Sequence, residues 1–342
     1  MSAVRALGLS AATAAMSVVA GCRGQQSVMD PAGPQASRIE WLFWVVFWIA
    51  LSAFVLVMLA FGRAAMRSGA SKDEPPLPII KEPPGDRAAT VVVGLAVALT
   101  VIGLFSILAL SAVTGAAAAG PTSKNPVTIQ ITGHQWWWEV TYPNTQPDQI
   151  VITANEIHIP VGKPIVILTK SEDVIHSFWP PNVNGKRDLL PGNQTAYWMQ
   201  VDKPGIYRGQ CAEFCGYQHA HMGFRIVAES EADFSKWQQA QIKPAKDPSD
   251  AETIRGRAVF MSRACVMCHT IRGTDAGSRV GPDLTHVGSR QMIAAETLPN
   301  TRGALAGWIL DPQGIKPGNR MSPNPMPPDD LNALITYLQS LQ

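Results

Sequence analysis

The chain of 342 residues carries charged side chains at only 16% of its positions, against about 25% in soluble proteins, so part of it is expected to lie outside water. Its 28 Lys and Arg nearly cancel 26 Asp and Glu, which excludes the broad positive surface that nucleic acid requires, and no nucleic-acid partner is expected. The 28 Gly and 27 Pro follow no period, which excludes collagen-like and repeat architectures.

In chain order, residues 1–21 hold one basic side chain, Arg5, ahead of an apolar run that ends Val19-Ala20-Gly21-Cys22. This is the layout of a secretory signal peptide. The small residues before Cys22 resemble the lipobox of bacterial lipoproteins, which implies a diacylglyceryl group on Cys22 and an outer N-terminal segment over 22–38. An ordinary signal or anchor helix ending in a lone Cys is the plainer alternative.

Residues 41–62 contain no charge, and 88–113 are uncharged and strongly apolar. A mid-bilayer Lys, Arg or Asp costs about 2.5–3.5 kcal/mol and about 20 apolar residues cross the hydrocarbon core, so spanning helices are predicted over 39–62 and 88–113. Arg63, Arg67, Lys72, Lys81 and Arg87 make the segment 63–87 the richest in positive charge beside either helix. That places it in the cytoplasm and both chain ends outside. Trp41, Trp44 and Trp48 open the first helix, where indoles favour the headgroup level or a neighbouring helix. The remainder is then expected on the outer face of a bacterial inner membrane, where thiols persist if bridged, metallated or bonded to a cofactor.

Residues 127–229 read as short β-rich runs broken by Pro, Gly and Asn, at 127–131, 136–142, 156–159, 164–170, 195–201 and 223–228. Such spacing predicts a small all-β sandwich or barrel. In its last hairpin stand Cys211, Cys215, His219 and Met222. Thiolate, imidazole and thioether together form the ligand set of copper electron-transfer sites, and a second Cys offers a second bridging sulfur. A Cys211–Cys215 disulfide competes but leaves His219 and Met222 without a role. Zinc fits less well, because Met is a poor zinc ligand.

The Cys-x-Glu-x-Cys-x-x-x-His-x-x-Met loop, the upstream Val174-Ile-His176-Ser-Phe-Trp and the Gly133-His-Gln-Trp136-Trp-Trp138 run resemble subunit II of haem–copper cytochrome c oxidases, over residues 37–228. The resemblance implies a cupredoxin-like domain holding a dinuclear, mixed-valence copper centre, CuA. Cys211 and Cys215 would bridge both coppers, His176 and His219 would each bind one, and Met222 and the Glu213 carbonyl would be weak outer ligands. It further implies that the Glu213 carboxylate reaches a Mg²⁺ shared with subunit I, and that electrons enter at Trp136. His221 competes with His219, although the four-residue step from Cys215 favours His219. His134 and His158 lie in strand-like runs, where a structural hydrogen-bonding role is expected. One of the three consecutive Trp is expected to face outward, since a strand alternates its side chains.

Residues 230–250 are polar, with a short helix around Trp237 and then Pro244 and Pro248. They read as a flexible linker, which as a coil would reach about 25 Å. Cys265-Val-Met-Cys268-His269 follows, the signature of c-type haem attachment, with thioethers from both Cys and iron ligation by His269. A redox disulfide is the alternative reading. Gly256 and Phe260 on a predicted helix can meet an apolar stripe of Leu331, Leu334, Ile335, Leu338 and Leu341 near the C-terminus. Gly281-Pro-Asp-Leu-Thr and Lys316-Pro-Gly-Asn-Arg-Met321 resemble class I cytochromes c, so residues 251–342 are expected to be an all-α cytochrome c domain with Met321 as distal ligand and Met326 as its competitor. His/Met ligation fills both axial positions and suits electron transfer over oxygen binding.

The expected whole is a multidomain membrane protein: two transmembrane α-helices, an all-β cupredoxin-like sandwich and an all-α cytochrome c domain. The resemblance implies subunit II of a caa-type cytochrome c oxidase. It would pass electrons from a donor, such as cytochrome c or a quinol–cytochrome c reductase complex, through covalent haem and CuA to haem a. Its expected partners are subunit I, which carries haem a and the haem–copper centre, subunit III, further small subunits and membrane lipid. Oxygen reduction coupled to proton pumping would occur in subunit I. A membrane-tethered copper and haem carrier outside any stable oxidase is the alternative.

Overall fold

The computed structural model describes residues 24–67, 87–117, 120 and 126–342. Cys22 with its leader, and Lys72 and Lys81, lie outside these described residues. The two apolar stretches form helices α1 (Pro34–Arg67) and α2 (Arg87–Ala117). Both contain long windows of mean hydropathy 2.7, none of it buried. Large apolar side chains such as Phe54, Leu56, Leu99 and Phe105 stand more than half exposed, so these helices need an apolar solvent. Along one stretch of α1, Phe43 stacks on Phe47 and Trp44 on Trp48, with ring centroids 6.1 and 6.4 Å apart, as side chains four residues apart do on a helix.

The rest of the described chain, up to Ser37 and from Gly120 on, forms its own compact unit. It begins with β1 (Val127–His134), β2 (Trp137–Tyr142), β3 (Val151–Ala154), β4 (Glu156–Pro160), β5 (Ile165–Ser171), β6 (His176–Trp179), β7 (Arg187–Leu189), β8 (Thr195–Met199), β9 (Gly205–Cys211) and β10 (Gly223–Glu229). Two five-stranded sheets result, ordered β3-β2-β1-β5-β8 and β4-β10-β9-β6-β7. Along β5 the inward positions Ile165, Ile167, Thr169 and Ser171 alternate with half-buried ones, the two-residue period of a strand with one face in the core. Trp138, Phe178 and Phe224 fill the centre, Phe178 stacked on Phe224 at 4.0 Å and Trp138 edge-on to both.

Four strands escape the sequence reading. The strands β3, β6 and β7 have only three or four residues, and β9 has no strict alternation; each is held by its neighbours. Residues 24–33 are also tied to the sandwich, through Arg208 N to Gln25 O (2.7 Å), Ala32 N to Asn182 O (2.7 Å) and Asp202 N to Ala32 O (2.8 Å).

The short helix expected around Trp237 is present, but the segment that carries it is docked on the sandwich and is not a flexible coil. Helix α3 (Glu231–Ile242) starts at Ser230, whose side chain accepts from Asp233 N, a standard N-cap. It buries Phe234 and lays Trp237 flat on His158 at 4.1 Å. Polar composition conceals this packing, because two aromatics three residues apart suffice to dock one face. The ring of His158 is clamped between Glu229 (2.8 Å) and Glu156 (3.1 Å), the structural role expected for it. Burial opposes its charge, but the two carboxylates outweigh burial and raise its pKa.

Helix α4 (Ala251–Ser262) opens on Asp250, which caps Thr253 N. A short turn (Ala264–Met267), the hairpin β11 (Met292–Ile293) and β12 (Leu298–Pro299), then α5 (Arg302–Leu310), α6 (Pro312–Ile315) and α7 (Pro328–Ser340) complete the chain. As expected, α4 packs on α7. A Cβ on Gly256 would lie 2.6 Å from Tyr337 Cβ, so only Gly allows that approach. Phe260, Leu334, Ile335, Leu338 and Leu341 share the resulting core.

Candidate functional site

Strand pairing sets the first group of ligands. Cys211 ends β9 and Met222 immediately precedes β10, and Cys211 N donates to Met222 O at 3.0 Å, closing the loop between them. His176 opens β6, which pairs with β9 through Phe178 and Cys211. His176 Nδ1 therefore stands 3.9 Å from Cys211 Sγ, which is 3.8 Å from Cys215 Sγ. Cys215 Sγ lies 3.6 Å from His219 Nδ1 and 3.8 Å from Met222 Sδ. The Glu213 carbonyl oxygen approaches Cys211 Sγ at 3.2 Å. His176, Cys211, Cys215 and Met222 are buried, and His219 is half-buried.

The sulfur separation is nearly twice a disulfide bond of about 2.05 Å, and both thiols are free. Donors spaced this way suit metal bonds of about 2.3 Å to sulfur, and the mixture of thiolate, imidazole and thioether selects copper. The residues present therefore fit a copper centre. The thiols' mutual hydrogen bond lowers the pKa of Cys211 and raises that of Cys215. His221 turns away, its Nδ1 bonded to Gln218 Oε1 at 2.9 Å. The Glu213 carboxylate is also outside the cluster, 3.7 Å from Lys186 Nζ at the surface.

A second layer orients these ligands. Asp173 Oδ1 receives His176 Nε2 at 2.8 Å and its Oδ2 receives Gln135 N at 2.7 Å. Burial works against the Asp173 charge, but these bonds hold its pKa below the usual carboxylate range. Such a carboxylate fixes which imidazole nitrogen faces a metal. Gln135 Nε2 and Trp136 Nε1 both donate to Cys215 O, at 2.8 and 2.9 Å, and Trp138 Nε1 donates to Met222 O at 3.3 Å. The tryptophan run thus braces the loop from behind. The sequence reading missed Asp173, although its position three residues before His176 was the available signal.

The second site belongs to the helical domain. Cys265, Cys268, His269 and Met321 line one cavity of ≈ 290 Å³, with apolar walls that include Leu305 and Trp308. The His269 Nδ1 is bonded to Pro282 O at 2.8 Å, which assigns its proton there and leaves Nε2 as the ligand atom. Burial lowers the His269 pKa and favours the neutral ring. Met321 is held by Asn319 Oδ1 at its amide (2.7 Å) and by Gln313 Nε2 at its carbonyl (2.8 Å). Met326 packs against the core but is not among the described residues lining the cavity. Paired thiols, a neutral imidazole and a thioether around an apolar hollow fit a covalently held haem.

The two sites approach one another at Trp136. This indole is only 8% exposed, lines the haem-type cavity together with Trp137 and bonds the copper loop through Nε1. Lys316 Nζ donates to Trp136 O at 3.0 Å, Gln218 Nε2 donates to Pro317 O at 2.8 Å, and Arg320 stands 3.7 Å from Asp173. The expected outward-facing indole is Trp137, half-buried and stacked on His134 at 4.3 Å.

Comparisons with known proteins agree with both halves. The family described as cytochrome C oxidase subunit II, periplasmic domain, matches residues 146–230, and the cytochrome c family matches 253–342. A cytochrome c oxidase subunit 2 from Alkalihalophilus pseudofirmus is 34% identical over 335 residues, covering 94% of this chain and 93% of the relative. One from Bacillus sp. strain PS3 is 32% identical, covering 64% and 63%. The crystal structure of the periplasmic domain of subunit II of cytochrome oxidase of Bradyrhizobium japonicum is 30% identical. It covers 35% of this chain and 96% of that one, with a TM-score of 0.33.

Proposed function

Because the chain belongs to the cytochrome c oxidase subunit 2 family, we propose that it is the electron-relay subunit of a caa-type oxidase, anchored by α1 and α2 in a bacterial inner membrane. The family match supports a role in electron transfer, with a copper-bearing and a haem-bearing domain outside the membrane and association with subunit I. When bound, the copper pair and the haem supply one-electron redox centres whose oxidation states change without bond breaking.

The chain's own residues do the positioning. Cys211, Cys215, His176, His219 and Met222 hold the copper pair, with the Glu213 carbonyl beside them. Cys265 and Cys268 would attach the haem, and His269 and Met321 would supply its iron ligands. Asp173 orients His176, and the sheet keeps the ligands fixed as charge changes, which keeps rearrangement small. Trp136 lies between the two sites and is the residue across which the electron reaches the copper loop. The Glu213 carboxylate remains available for a hard cation such as Mg²⁺ at the subunit I surface. Subunit III and an external cytochrome c or quinol–cytochrome c reductase complex complete the assembly, with oxygen reduction and proton pumping in subunit I. Lipidation of Cys22 would add a second membrane anchor.

The observation that carries this reading is the contact of one indole with both sites. Purification in mild detergent followed by flash photoreduction tests it. A multispanning haem-bearing partner should copurify, haem c should be reduced first, and copper should follow. Trp136→Leu should slow the second step with both spectra retained. Recovery of the chain without such a partner would favour the free carrier, and an unchanged second step would remove Trp136 from the path.

A further inference from the structure

The junction of the two outer domains contains a backbone outlier that neither ligand set explains. Ala294, Ala295 and Glu296 have φ of 53°, 55° and 66°, three successive residues in the left-handed region where a β-carbon is disfavoured. They turn the β11–β12 hairpin, whose twist such a turn suits, yet none is the Gly or Asn that normally occupies it. Strain of this kind persists where surroundings over-determine it, and it clusters at functional places.

Every residue of the turn is engaged. Ala294 O accepts from Lys316 Nζ at 3.2 Å, the same ammonium that donates to Trp136 O. Ala295 O accepts from Gly223 N at 3.1 Å, one residue after Met222. Glu296 receives both arms of Arg225, at 2.8 and 2.7 Å, with side chains only 5% and 12% exposed. Gln291 Oε1 takes Arg225 Nη1 at 2.5 Å. A Cβ on Gly223 would lie 2.9 Å from Glu296 Cβ, so the missing side chain makes the socket. A buried, bidentate Arg–carboxylate pair with flanking backbone bonds is the anatomy of a fixed seat, unlike the wet, weakly paired surfaces of transient redox encounters.

We propose that the left-handed turn at 294–296 is a docking knob that seats the haem domain on the strand leaving the copper loop, with Gly223, Arg225 and Glu296 as positioning residues for electron passage between the two centres. The inference rests on the relay reading above.

The test uses the intact detergent-solubilised complex carrying Arg225→Glu, the milder Glu296→Gln, or the swap Arg225→Glu with Glu296→Arg. Three quantities are read: hydrogen exchange over 291–299, the rate of haem-to-copper transfer after flash photoreduction, and the spectra and potentials of both centres. Arg225→Glu is expected to raise exchange and slow transfer by about tenfold or more, since small misplacements cost that much, with spectra and potentials unchanged. Glu296→Gln should do the same more weakly, and the swap should recover part of both. Transfer in the parent complex tests the relay reading itself, and the contrast between parent and variants tests the seat. Parent-level exchange and rate in both single variants would overturn the proposal. So would raised exchange with an unchanged rate.

Discussion

At the copper site each ligand side chain stands 3.6–3.9 Å from its nearest neighbour among them, whereas Cys265, Cys268, His269 and Met321 are spread around the walls of a ≈ 290 Å³ hollow. The contrast follows from what each site must hold. A pair of small ions needs donors that converge, and paired strand ends supply that convergence, braced by side-chain bonds from Asp173, Gln135, Trp136 and Trp138. A large planar group needs a slot, and here α5, Leu338 of α7 and the loops beside the attachment motif line one. Rigidity is thus invested in the ligands on one side and in the walls on the other.

The contrast breaks most sharply at the bridging sulfur. Cys215→Ser should abolish the shared-valence copper spectrum while the haem spectrum stays intact; a persisting copper signal would mean that convergence on Cys215 is incidental. On the haem side, Met321→Ala should lower the haem potential by a sizeable part of the roughly 0.8 V range that axial ligands set. Redox titration checks it, and a fall seen only with Met326→Ala would reassign the distal ligand.

A smaller effect is expected one layer out. Asp173→Asn should weaken copper affinity by about 10–100-fold, the usual cost of losing such a bond, measured by competition with a chelator. No change would show that β6 alone orients His176. The smallest effect concerns the seam at α3. The folded-state pKa of His158 is raised, so its stabilisation is fully present below its unfolded value of about 6.5. It is lost as pH rises through the folded value. Tm of the intact chain should therefore fall over that window. His158→Gln should flatten the slope and cost on the order of 1–3 kcal/mol; an unaltered slope would exclude His158 as its source.

Much of each site was legible because its residues are nearly contiguous. The Cys211 to Met222 loop and the Cys265 to His269 motif announce their chemistry by ligand type and spacing, and the two apolar stretches announce α1 and α2 by length. The short strands β3, β6 and β7 were not legible, since tertiary pairing outweighs their weak local signal. Neither was the junction. Arg225 and Glu296 are 71 positions apart and Lys316 is 180 from Trp136, so only the folded chain brings them together. In the polar segment after the sandwich the helix around Trp237 was legible but its docking was not, because its two docking aromatics are outnumbered by solvated neighbours.

Copper and haem stoichiometry, read with electron paramagnetic resonance on the fully matured complex, decides whether both centres are present. The expected result is a copper pair sharing one unpaired electron and a single covalent haem in every chain. One copper or none per chain, in material whose haem is complete, would contradict it.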